Sequence, residues 1–292
     1  MTSIQTSTQA PFLPASLRVG AVELTVTDLD RSVPFYENAI GLKLHRREDG
    51  RAALGGGGED LLVLFEDPDA RPAGRHAGLY HFALLHPSRL ELARAAYRLA
   101  ATQTRISGAS DHGISEAIYL PDPDGNGIEL AADRGREHWG DLRDPTTTGG
   151  PEPLDVAGLL ALVAEEEPVA DVSPDTVVGH LHLHVGDMER GVAFYRDVIG
   201  FEVMTLLDSA AFVASGGYHH HLGFNLWRGR GVPPVPAGVV GLRHWTIVLP
   251  AAADAAALRQ RVVAAGAPHE ETPQGLLVRD PWDIPVLVRA EG

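Results

Sequence analysis

Two stretches alternate between apolar and polar residues with a period of two, VELTV at 22–26 and LHLHV at 181–185, as half-buried strands do. Each runs into an aspartate, Asp28 or Asp187, that suits a helix N-cap, then through an arginine and a Phe-Tyr pair to Ile-Gly, where glycine ends the helix. Aligned without a gap, residues 22–44 and 181–203 share nine of 23 positions, which marks an internal duplication. A second pair of segments repeats as well. GLYHFALLHP (78–87) matches GLRHWTIVLP (241–250), and DPDGNGIEL (122–130) matches DPWDIPVLV (280–288). The runs SRLELARAAYRLAA and AADAAALRQRVVAAG, rich in alanine and leucine, predict helices after the second pair of first strands. Further β-like stretches follow at LLVLF (61–65), EAIYL, GIELAA, HLGFNLW (221–227), LLVRD and PVLVRA.

The chain therefore reads as α+β, with four βαβββ units in two domains, 18–133 and 177–292. Residues 1–17 read as a flexible leader without a secretory pattern, and 134–176 as a linker holding one short helix in LDVAGLLALVAEEE. The glycine run at 55–58 lacks the Lys-Ser/Thr of a phosphate loop and is expected to be a hairpin turn. DPDGNG lacks the distal glutamate of a calcium loop and reads as a turn leading into Glu129.

Composition narrows the chemistry. Of 292 residues, 44% are apolar and 22% charged, as in ordinary globular proteins, and no apolar run approaches the ~20 residues of a membrane span. A formal charge of −15 repels a phosphate backbone, which argues against nucleic acid. The chain has no cysteine, which fits a reducing, cytoplasmic setting and leaves metal binding to imidazole and carboxylate. It has 14 histidines.

Four βαβββ units, together with GLYHFALL, ASDHGISEAIYLPDPDGNGIEL, GHLHLHVGD and GGYHHHLGFNLW, resemble the vicinal oxygen chelate superfamily of glyoxalase I, bleomycin-resistance proteins and extradiol dioxygenases, and within it the catechol 2,3-dioxygenase-like proteins. The resemblance implies cupped mixed sheets with outer helices. It also implies one metal per pair of units, held by first- and last-strand residues. The matching positions are Ala21, His81, His180 and His244 on first strands, and Glu129 and Leu287 on last strands. If neighbouring units pair, both ligand sets are broken, and His244 would join His180. If pairing is crossed, second with third and first with fourth, one cup holds His81, Glu129 and His180 and the other holds Ala21, His244 and Leu287. Crossed pairing is the expectation, and it leaves His244 a structural or pocket residue.

Two histidines and a carboxylate on one face of a metal suit iron(II), with manganese(II) as a substitute, and leave positions for a bidentate substrate and O2. The resemblance further implies His221 as an acid–base group, with His220 and then His219 as alternates from the same run, and Tyr119 as a donor to the substrate oxygen. His112, His182 and His184 are expected to line the pocket. The implied activity is extradiol cleavage of a catechol- or hydroquinone-like aromatic. The alternatives are a glyoxalase-like isomerase or lyase and a non-catalytic resistance-type binder. A homodimer is the expected assembly.

Overall fold

The computed structural model describes residues 12–144 and 151–291. Residues 1–11 of the expected leader and 145–150 of the expected linker lie outside the described residues. The first unit comprises β1 (Arg18–Val26), α1 (Leu29–Phe35), β2 (Lys43–Glu48), β3 (Arg51–Gly55) and β4 (Leu62–Glu66). The second comprises β5 (Gly78–His86), α2 (Arg89–Ala101), β6 (Gly108–Asp111), β7 (Ser115–Pro121) and β8 (Gly127–Asp133). Strand β9 (Glu152–Pro153) and helix α3 (Val156–Ala161) lie between the halves. The third unit contains β10 (Val177–His184), α4 (Met188–Ala193), β11 (Glu202–Leu206), β12 (Ala210–Ala214) and β13 (Leu222–Asn225). The fourth contains β14 (Gly241–Leu249), α5 (Ala252–Ala264), β15 (His269–Thr272), β16 (Gly275–Arg279) and β17 (Pro285–Ala290). Strands β6 and β15 escaped the sequence pattern because GASD and HEET carry no apolar alternation. No helix among the described residues is long and apolar enough to cross a membrane.

The sheets are crossed. One runs β15-β16-β17-β14-β1-β4-β3-β2 and joins the fourth unit to the first; the other runs β11-β12-β13-β10-β5-β8-β7-β6-β9 and joins the third to the second. In each unit the first strand pairs parallel with the last. The units then meet through antiparallel first strands, β1 on β14 and β5 on β10. The main apolar core runs from Leu24 and Trp245 in one sheet to Phe82 and Leu181 in the other. In β10 the alternation sends Leu181 and Leu183 into this core and leaves His180, His182 and His184 for the opposite face.

Sheets link opposite halves of the chain, whereas helices link neighbours. Asp28 and Asp187 cap α1 and α4 by accepting the amides of Arg31 and Arg190. Both helices widen into a π turn, at Tyr36–Ile40 and Phe194–Ile199, and stop at Gly41 and Gly200 with φ of 85° and 104°. The tyrosine of each Phe-Tyr pair then reaches the adjacent unit: Tyr36 donates to Asp122 at 3.0 Å and Tyr195 to Asp280 at 2.9 Å. Those aspartates also accept backbone amides of their own turns, which explains why the DP motif repeats. Arg98 of α2 donates to the carbonyls of Ala39, Ile40 and Val169, and Arg261 of α5 donates to those of Val198 and Ile199. Each guanidinium lies where a side chain on Gly41 or Gly200 would collide with it, so glycine is required there for space as well as for φ.

The leader expectation needs correcting at its end. Leu13 and Leu17 are buried, and the Leu13 amide donates to the Gly200 carbonyl at 2.9 Å while its own carbonyl accepts from the Ser215 hydroxyl. Two isolated leucines carry no periodic signal, so their burial was not visible in the pattern.

Candidate metal centre

Strands β10, β5, β8 and β7 lie side by side, and their register sets His180, Ala83, Glu129 and Tyr119 in one row. Alanine between His180 and Glu129 leaves room above the sheet, and His81, two residues before Ala83, enters the same space. Nε2 of His81 and of His180 lie 2.9 and 3.2 Å from the same Glu129 oxygen, Oε2. One ligand atom from each residue falls within 4.8 Å of the others, and all three residues are buried. Neither ring nitrogen of buried His81 has an aligned hydrogen-bond partner, so its lone pair is available to an ion. Burial alone would raise the Glu129 carboxyl, but the charges of His180 and His81, with the hydrogen bond from His180, outweigh it and hold the group well below the usual carboxylate range. The donor set is two imidazoles and one carboxylate, and it fits a divalent metal.

The same register locates the fourth corner of this cup. In the second unit the residue two beyond His81, Ala83, faces Glu129; in the third unit the residue two beyond His180, His182, faces Gly223. The last-strand ligand position of the third unit therefore has no side chain, and a Cβ there would sit 3.1 Å from the His182 ring. In the other sheet the corresponding positions are Ala21 and His244, with Val63 and Leu287 on the last strands. His244 belongs to that sheet, away from the triad. It faces Glu23 across the strands at 3.5 Å, so its place among pocket residues does not hold.

The other expected residues divide. Tyr119 stands 5.5 Å from the His81 ring, and its hydroxyl is 2.8 Å from Nε2 of His112. Burial and Glu129 raise the Tyr119 phenol, which stays neutral. His182 packs 5.2 Å from His81, and burial together with His81 and His180 pushes it well below its ordinary value. His184 lies farther along, its Nδ1 2.8 Å from the Asn225 side-chain oxygen. Tyr80, Trp227 and Phe212, which the sequence reading missed, add aromatic surface around His182.

The members of the histidine run lie in different surroundings. His221 faces Tyr218 and Phe201 at 4.8 and 6.2 Å, and its Nδ1 accepts the Ser215 amide. His220 instead packs against the His180 ring, with ring centroids 4.1 Å apart and the planes tilted by 49°. Adjacent residues entering a strand face opposite ways, and β13 begins only at Leu222, so the phase within His219-His220-His221 could not be read from the repeat.

The buried imidazoles make stability depend on pH. Burial lowers His86 and His221 to about 3 and His184 and His244 to about 4, with nearby positive charge adding to it. The unfolded chain protonates them near 6.5, so between these values it binds more protons than the folded chain, and stability falls as pH falls. Asp280, raised by burial to about 6, opposes this, because its stabilising effect fades as pH rises towards 6. Glu23 and Asp122, also raised by burial, act with Asp280, but His112, His182 and His220, also lowered by burial, act with the four imidazoles and leave them the larger set. Urea unfolding of the metal-free protein is expected to show a midpoint that drops steadily from pH 6.5 to 4. A flat profile would mean that the imidazoles charge in place.

A sequence model described as glyoxalase/bleomycin resistance protein/dioxygenase superfamily matches residues 18–130 and 177–281, most of the chain. The chain belongs to this superfamily. Within it, the chain is 42% identical over 268 residues to the catechol-2,3-dioxygenase of Bacillus subtilis (strain 168), an alignment covering 90% of this chain and 93% of that protein. Solved superfamily folds agree in architecture. A proposed dioxygenase from Bacillus subtilis superposes with a TM-score of 0.61 at 14% identity, covering 93% of this chain and 84% of that one. Glyoxalase I from Zea mays gives 0.58 at 19%, covering 94% and 92%. At such identities the superfamily structures speak for the fold alone.

Proposed function

We propose that the chain is an extradiol dioxygenase that takes a catechol-like aromatic and O2 at an iron(II) centre, with manganese(II) as a substitute, held by His81, Glu129 and His180. The observation that carries this reading is the three-ligand set with Gly223, which has no side-chain ligand to offer, at the fourth corner. Identity to a catechol-2,3-dioxygenase over nearly the whole chain supports it. A metal bound there supplies acidity to a coordinated hydroxyl and a common anchor for two small molecules.

The remaining work falls to side chains. His220, against His180, is the group placed to exchange a proton with a substrate hydroxyl. Tyr119, held at a fixed angle by His112, is a neutral donor for a substrate oxygen. Tyr80, Trp227 and Phe212 offer ring faces and edges to an aromatic substrate. Loading with iron(II) without air, followed by catechol and oxygen, is expected to give O2 uptake and a yellow ring-fission product. Iron-loaded protein that consumes no oxygen with any catechol or hydroquinone would sink the proposal.

A further inference from the structure

Behind His220 lies a line of polar contacts that ring cleavage as described above does not use. Asp133 closes β8, four residues after Glu129. Its Oδ1 is 2.9 Å from Nε2 of His219, whose side chain is 2% exposed, and its Oδ2 accepts from the Tyr218 hydroxyl at 2.8 Å. Nδ1 of His219 is 2.8 Å from Nδ1 of His220. Trp139, anchored by its indole N–H to the Arg134 carbonyl, packs against the His219 ring at 5.0 Å and fixes its plane.

The hydrogens follow from these contacts. A carboxylate only accepts, so His219 carries its hydrogen on Nε2 and, when neutral, presents a lone pair at Nδ1. Two nitrogens 2.8 Å apart need one hydrogen between them, which places it on Nδ1 of His220. The lone pair of His220 is then at Nε2, for which no hydrogen-bond partner is found among the described residues.

We propose that Asp133 and His219 are positioning residues that fix the tautomer of His220 and take over the proton it accepts. The assignment rests on the reading of His220 as the acid–base group. When a substrate hydroxyl gives its proton to Nε2 of His220, the hydrogen on Nδ1 of His220 passes to Nδ1 of His219. His220 is neutral again, with N–H now towards the substrate, and the positive charge rests on His219 against the Asp133 carboxylate. The reverse transfer returns the proton, so none is lost. On His219 the charge faces the Asp133 carboxylate at 2.9 Å.

Asp133→Asn and His219→Gln test this in the zinc- and iron-loaded protein. Zinc is diamagnetic, so long-range proton–nitrogen NMR of the zinc form reads the ring hydrogens directly. The wild type is expected to carry the His220 hydrogen on Nδ1. In D133N the Tyr218 hydroxyl keeps the amide oxygen, the amide N–H turns to His219, and the His220 hydrogen moves to Nε2. In the iron form both variants should keep full metal content and KM while kcat falls about 10²-fold. H219Q combined with His220→Gln should lose no more than H220Q alone. A wild-type His220 protonated at Nε2, unchanged tautomers in D133N, or an unchanged kcat in H219Q would overturn the proposal. Wild-type protein with the expected tautomers that turns over no catechol would overturn the dioxygenase reading while leaving this arrangement standing.

Discussion

Glu129→Ala is expected to empty the metal site and abolish oxygen uptake. The carboxylate is the one anion between two imidazoles, and both approach the same oxygen, at 2.9 and 3.2 Å. It stays ionised through the neutral range because His180 and His81 more than offset the effect of burial. Groups that merely orient a ligand cost 10- to 100-fold in metal affinity when removed, so loss of a ligand should cost more than about 10²-fold. His81→Ala should behave alike. Glu129→Gln keeps the volume and removes the charge, so a similar loss there would assign the effect to electrostatics. His244→Ala is the internal control and should retain full metal content by elemental analysis. Retention in E129A with loss in H244A would move the centre to the other sheet.

The second large effect concerns stability. Arg98→Ala should destabilise the protein by about 3 kcal/mol or more, since it orphans three carbonyls, two of them at the buried end of the first helix. Arg98 is 3% exposed, and burial lowers even its guanidinium to about 10. Arg261 makes the equivalent contacts in the other half but is only partly buried, so Arg261→Ala should cost about 1 kcal/mol. Lysine at 98 should recover little, because a single ammonium cannot reproduce the planar fork. Urea titration of the three variants checks the order. Equal losses at 98 and 261 would mean that burial adds nothing to the contact.

The repeat exposed much of this arrangement before any coordinates. Strand alternation and the gapless match of 22–44 with 181–203 defined the units, and Ala21 and Leu287 argued for crossed sheets. The triad was legible because its members sit at equivalent points of repeated strands. Gly223 was legible too, since GIEL at 127–130 aligns with HLGF at 221–224, yet a missing side chain attracts no notice in a search for ligands. Other features had no local signal. His220 and His221 differ only in the strand phase set where β13 starts, and Asp133 meets His219 across 86 residues through tertiary contact alone. Arg98 and Arg261 look like solvated charges on their helices until the neighbouring helix end is placed above them.

Crossed sheets also impose an order on synthesis. The pairing of β5 with β10 is nested inside that of β1 with β14, like inner brackets within outer ones. By the time β13 leaves the ribosome every strand of the cup around His81, Glu129 and His180 has been made, whereas β1 must wait for β14, which begins at Gly241. The longer chain closure comes last and carries the larger entropic cost. A nascent chain stalled before β14 would thus hold every ligand of the triad while still exposing the unpaired edge of its first strand, a stage at which a chaperone has something to cover.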